Sequence, residues 1–178
     1  MTTPCWFALT VKPRHERAVA AQLEARTVEG YVPVHRECHR WSDRLRTVEL
    51  PLFPRYVFAR FPLTERVSVL SIPSVLSVVG FGGKACPIEP RQIEAIQRMI
   101  ASGLPVAPWP FLKLGQTVRL AGGALDGVEG ILVREKTGYR VVVNVQLLNR
   151  AVSVEIERDR VETVTGSRNA PSCDLLLQ

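Results

Sequence analysis

Three prolines, Pro105, Pro108 and Pro110, interrupt the chain in the stretch SGLPVAPWPFL at 102–112. Proline has no amide hydrogen to give a helix or a sheet ladder and its φ is held near about −65°, so a run of prolines makes an extended, stiff connector. Helical and strand periods mix on its N-terminal side, and short alternating segments follow it. No single element can run through the stretch, and 178 residues are enough for two small domains. The expected organisation is a first domain at 1–101, a linker at 102–112, a second domain at 113–164 and a loose polar tail at 165–178.

In the first domain, CWFALTV (5–11) alternates as a strand, and RHERAVAAQLEAR (14–26) has the composition of a helix burying Ala18, Val19 and Leu23. GYVPVH (30–35) predicts a second strand despite Pro33, and a third begins near Arg46 and runs through PLFPRYVFARF (51–61), with a break at Pro51 and Pro54. TERVSVL (64–70) predicts a short helix capped by Thr64, SVLSVVGF (74–81) a strand, and PRQIEAIQRMI (90–100) a helix with Ile93, Ile96 and Ile100 on one stripe. The order is β-α-β-β-α-β plus a terminal helix, an α+β domain built on an antiparallel sheet. In the second domain, QTVRL, EGILVR, YRVVVNV, AVSVEI and RVETV are separated by polar or glycine-rich turns, as expected of a five-stranded small β-barrel. The valine-rich alternation from Tyr139 to Ile156 predicts strands in the free protein.

PLFPRYVFARF is apolar on both sides. Strict alternation puts Phe53, Val57, Ala59 and Phe61 on one side and Pro54, Tyr56 and Phe58 on the other. A strand of a small antiparallel sheet ordinarily gives one side to water, so the second apolar side needs a cover, supplied by this chain or by a partner; sheets of this kind pack helices on one face and leave the other accessible, so the patch is expected to stay exposed until a partner docks.

The charge balance narrows the function classes. Lys and Arg number 23 against 17 Asp and Glu, a net +6, and residues 1–101 hold 14 of the basic and 9 of the acidic groups. That mild surplus favours anionic polymers by long-range steering. The basic stretch HRECHRWSDRLR (35–46) sets Arg36, Arg40, Arg44 and Arg46 around Trp41. Guanidinium forks fit phosphate oxygens and Trp41 can stack on a base; a solvated loop that keeps a sheet edge soluble fits the same residues. His35, Cys38 and His39 are metal-ligand types, but adjacent Cys38 and His39 suit one tetrahedral site poorly and a fourth ligand is lacking, so no metal or cofactor is expected. Cys5, Cys38, Cys86 and Cys173 form no C-x-x-C pair, which points to reduced thiols rather than a disulfide framework. Neither a G-x-S-x-G nucleophile nor paired carboxylates occur, and the glycines of AGGALDGVEG (121–130) are turn residues outside any strand-to-helix phosphate loop, so an enzyme is not expected. Apolar runs are too short to span a membrane and the N-terminus has no signal-peptide layout, so a cytoplasmic protein is expected.

Three blocks in order, WFALTVKPRHERAVAAQLE, PLFPRYVFARF and GQTVRLAGGALDGVEGILVREKTGYRVVVNVQLLNRAVSVEIERDRVETV, resemble the NusG-like transcription elongation and antitermination factors, which join an NGN domain to a KOW domain; together they span 6–164. The resemblance implies that the NGN domain binds RNA polymerase at the clamp helices of its largest subunit, through Phe53, Pro54, Tyr56, Phe58 and Phe81. It further implies that Arg36, Arg40, Trp41, Arg44 and Arg46 approach upstream or non-template DNA. The KOW barrel would recruit a small-subunit ribosomal protein or a termination factor through Leu148 and Arg150. The wording of PLFP and LLNRAV is closer to specialised paralogues of the RfaH type, although TERVSVLSIP does not show the His-Thr-Thr run of that relative. A general RNA-binding or ribosome-associated KOW protein is the alternative.

Overall fold

A computed structural model describes residues 3–41, 44–109, 116–135, 138–156 and 161–163, with side chains described for all of these except 38–41, 44–46, 116, 134, 135, 138, 146 and 161–163. Strand β1 (Cys5–Val11) leads to helix α1 (Glu16–Glu24), then β2 (Glu29–Tyr31), the long hairpin of β3 (Val34–Trp41) and β4 (Arg44–Pro51), and β5 (Tyr56–Phe61). A 3-10 turn at Leu63–Glu65 runs into α2 (Arg66–Leu70), followed by β6 (Val75–Val78), the small hairpin of β7 (Gly80–Phe81) and β8 (Lys84–Ala85), and α3 (Pro90–Ala101).

The central sheet is antiparallel throughout, in the order β2-β5-β1-β6. Its period-2 alternation sorts the strands into two faces. Phe7, Leu9 and Val11 of β1 join Val57, Ala59 and Phe61 of β5 against Val19 and Leu23 of α1 and Val69 and Ile72 at α2. The Phe7 and Phe61 rings lie 4.8 Å apart in this layer. Trp6, Ala8 and Phe58 point the other way, where Ile93, Ile96 and Met99 of α3 meet them. Each fully buried Leu, Ile or Phe contributes about 1.5–3 kcal/mol, so both layers hold the sheet.

The structure corrects several local expectations. GYVPVH is two strands, β2 in the central sheet and β3 in the hairpin, and the strand expected from Arg46 through Phe61 is likewise two, β4 in the hairpin and β5 in the central sheet. Ala18 is exposed and the buried positions of α1 are Glu16, Val19 and Leu23. Thr64 caps nothing, because a 3-10 turn begins ahead of α2 and its N-cap position is Pro62, without a side-chain bond. Phe53 lies with Phe58 rather than with Val57 and Phe61. The cause is Arg55, whose φ of 71° breaks the extended backbone between the two rings and resets the alternation.

The second half is the expected barrel-like sheet. Strands β10 (Gln116–Leu120), β11 (Glu129–Glu135), β12 (Gly138–Val145), β13 (Arg150–Ile156) and β14 (Val161–Thr163) pair antiparallel in the order β14-β10-β11-β12-β13. Gly130 is demanded by packing, since a Cβ there would stand 2.5 Å from Val141 Cγ1 and 2.7 Å from the Val142 carbonyl oxygen. A sixth strand, β9 (Val106–Trp109), pairs with β13 on its outer edge, so part of the proline stretch belongs to this sheet. Pro108 sits opposite Val152, tolerated because an edge strand need not donate on both sides.

The two halves share one apolar cluster. It runs from Trp6, Ala8, Phe53 and Phe58 through α3 into Val118, Leu120, Leu125, Val143 and Leu148. Helix α3 lies against the turn at Gly123–Leu125 and against β12. Among the described residues no helix is long and apolar enough to cross a membrane, and no group of three or more His, Cys, Asp or Glu is placed to hold a metal ion.

Candidate functional site

The site begins at the turn between β4 and β5. Glu16, 6 % exposed, accepts the Arg55 amide hydrogen bond at 2.8 Å, and the Val11 amide donates to the Arg55 carbonyl at 2.9 Å. Held from both sides, Arg55 keeps its left-handed backbone, a conformation that costs an ordinary side chain on the order of 1 kcal/mol. Leu52 and Phe53 are thereby driven inward, while Pro54 stays exposed.

An aromatic face results. Phe53 meets Phe58 edge-on at 5.4 Å, an arrangement favoured by the ring quadrupoles, and Tyr31 of β2 lies 6.4 Å from Phe58. Tyr56 is half-buried beside them. Burial disfavours the charged phenolate and pushes the Tyr31 hydroxyl from 10.0 up to about 12. Phe81, at the tip of the β7–β8 hairpin, is 68 % exposed and stands outside this buried group.

The face is not open to water. Phe53 and Phe58 are 1 % and 0 % exposed, because the barrel and α3 close over them. Polar contacts that help tie the cover down include the Arg98 guanidinium, which donates to the Asp126 carbonyl at 2.8 Å, and the Arg150 guanidinium, which sits 5.4 Å over the Tyr56 ring. Leu148 is buried in the same cluster. The two barrel residues expected to meet a partner thus lie where the barrel meets the sheet.

The basic stretch forms the β3–β4 hairpin. Its register sets Arg36 opposite Glu49, Arg40 opposite Leu45, Trp41 opposite Arg44 and His39 opposite Arg46. Arg36 and Arg40 are therefore in one phase of the ladder and Arg44 and Arg46 in the other. Arg36 is drawn to Glu49 at 3.4 Å, and Glu49 also binds Arg17 of α1 at 2.8 Å. The side chains of Cys38, His39, Arg40, Trp41, Arg44 and Arg46 lie outside the described residues.

Residues 4–97 match the NusG family, described as transcription termination factor nusG. That span is more than half of the 178 residues. The chain belongs to the NusG family. A solved structure described as domain interaction in Thermotoga maritima NusG is 21 % identical and superposes with a TM-score of 0.54, covering 91 % of this chain and 98 % of that one. At that identity the likeness speaks for the fold. The MjSpt4:Spt5 complex, conformation B, covers 92 % of this chain and 99 % of its own at 14 % identity, and its TM-score of 0.31 is too low to bear on the fold.

The NusG family is one of transcription elongation and termination factors, and the aromatic face of the sheet here includes residues that sequence reasoning missed. Trp6 and Tyr31 belong to the aromatic face, and Glu16 and Arg98 position it. Tyr31 was legible in part, since GYVPVH reads as a strand and fixes which residues alternate with Tyr31. Nothing local marks Glu16 as buried, because its partner Arg55 is 39 positions away.

Proposed function

We propose that this NusG-family chain is a transcription elongation and antitermination factor whose N-terminal domain docks on RNA polymerase, at the clamp helices of the largest subunit, through Phe53, Pro54, Tyr56 and Phe58, with Phe81 at the margin. One observation carries the reading: the second face of the sheet is aromatic and is covered by α3 and the barrel sheet, across which Arg98 reaches the Asp126 carbonyl and Arg150 the Tyr56 ring. A coiled coil presenting an apolar stripe offers the same kind of cover as the barrel does, with aromatic anchors supplying most of the binding energy. Docking requires the barrel to leave, and its departure frees Leu148 and Arg150 for a ribosomal protein or a termination factor. The hairpin residues Arg36, Arg40, Trp41, Arg44 and Arg46 are then the nucleic-acid contacts, on upstream or non-template DNA. Bridging of this kind holds the clamp closed and lowers pausing.

The test is elongation by purified polymerase on a pausing template, comparing the chain with Tyr56→Ala. Tyr56 is half-buried, so its truncation leaves the core rings in place. Loss of polymerase binding and of the effect on pausing, with the melting transition retained, supports the reading. Unchanged polymerase binding with weakened RNA affinity refutes it and favours the general RNA-binding alternative.

A further inference from the structure

Beside the aromatic face, and separate from it, a groove of about 1070 Å³ opens where the base of the β3–β4 hairpin, the turn ahead of α1, the turn at 53–55 and strand β9 meet. Its volume is that of a small-molecule site, and domain junctions are where such sites concentrate. Val34, Leu50, Pro51, Pro54, Val106 and Pro108 give it apolar walls. The cations are Arg14, Arg17, Arg36 and Arg55 from the first domain and Arg140 from the barrel. Glu49 already holds Arg17 and Arg36. Arg14 and Arg55 are exposed, and neither guanidinium has a hydrogen-bond or ion-pair partner among the described residues. Both arise from left-handed backbone, φ 64° and 71°, and the second is pinned by Glu16 and Val11. Unpartnered guanidiniums lining an apolar groove suit an anion, and the planar fork matches phosphate oxygens.

We propose that this groove binds a small phosphate-bearing ligand with an apolar body, the chemistry of a free nucleotide, and that binding holds the two domains together. One wall, Pro105–Pro108, carries most of β9 and so moves with the barrel sheet; Arg140 stands on β12. A ligand that touches both sides binds the closed form alone, and shifts the closed-to-open ratio about 100-fold at a concentration 100 times its Kd. The opening that the ligand opposes rests on the proposed function, and Pro54 and Arg36 belong to both surfaces, but the site itself is tested without polymerase.

The probe is ADP, titrated calorimetrically into the full chain and into the double variant Arg14→Gly, Arg55→Gly, in which glycine suits the left-handed backbone and removes both guanidiniums. Saturable binding that weakens at least tenfold in the variant, together with a smaller radius of gyration for an opened form such as the double variant Arg98→Ala, Arg150→Ala when ADP is added, is expected. Equal binding by the variant overturns the site. So does equal affinity for inorganic pyrophosphate, which lacks an apolar body, and so does binding by an oligonucleotide alone, which assigns the arginines to a polymer. The melting transition of the variant, unchanged without ADP, separates lost binding from lost fold.

Discussion

Removing the Arg98 and Arg150 contacts across the cover should open the barrel and raise polymerase affinity. Arg98→Ala deletes the guanidinium bonded to the Asp126 carbonyl at 2.8 Å, and Arg150→Ala deletes the one 5.4 Å over Tyr56. An exposed hydrogen bond contributes about 0.5–1.5 kcal/mol and an exposed cation–π contact about 0.5–1 kcal/mol. The two share no partner, so their losses add to about 1–2.5 kcal/mol, and the closed-to-open ratio falls roughly 5- to 70-fold. Because apparent affinity scales with the fraction of competent protein, Kd for polymerase falls by the same factor until the open form dominates. Small-angle scattering reports the opening and fluorescence anisotropy on purified polymerase reports Kd. Arg91→Ala, on the exposed side of α3, controls for the change in charge. An opened double variant with unchanged or weaker polymerase binding would refute the idea that the covered face is the docking surface, and a compact one would refute the two contacts as its fastening.

Glu16→Ala should cost about 1.5–3 kcal/mol in chemical denaturation, since it strands the Arg55 amide, whereas Glu16→Gln should retain most of that stability. Gly130→Ala forces a Cβ to 2.5 Å from Val141 Cγ1 and should destabilise the barrel by about 1–3 kcal/mol or more, seen as lost amide-exchange protection in β11 and β12. Tyr31 releases its proton near 10.0 when unfolded and near about 12 when folded, so the folded state holds the proton more tightly between those values and stability falls as pH rises through them. Denaturation midpoints of Tyr31→Phe should fall less steeply over that alkaline window, and identical slopes would disprove the assignment.

Much of the fold was legible because its signals are local. Helix α3 follows from Ile93, Ile96 and Ile100 together with Pro90 in its first turn, and β12 and β13 from valine alternation. Pro51 and Pro54 announced a break before β5, but not its effect. The change of phase at Phe53 depends on Arg55 being held left-handed by Glu16, a contact across 39 positions that no window of sequence contains. Likewise three prolines argue for a connector, and Val106–Trp109 becomes a strand because β13 offers an unpaired edge, which backbone groups seldom leave empty. The basic stretch was plain as composition, while the division of its arginines between two phases of the ladder appeared only with the hairpin register.

Residue order alone was sufficient to specify the three helices, most of the strands, and an aromatic segment with more apolar surface than one sheet face can use. Periodicity and proline placement act over a few residues, and they need no distant partner. Whether that surplus surface is bare or covered was settled by the docking of α3 and the barrel, where Phe53, Phe58 and Leu148 enter one cluster and Arg98 and Arg150 reach across to fasten it. Those contacts join residues far apart in the chain, and their free energy exists only once both domains are folded and in contact.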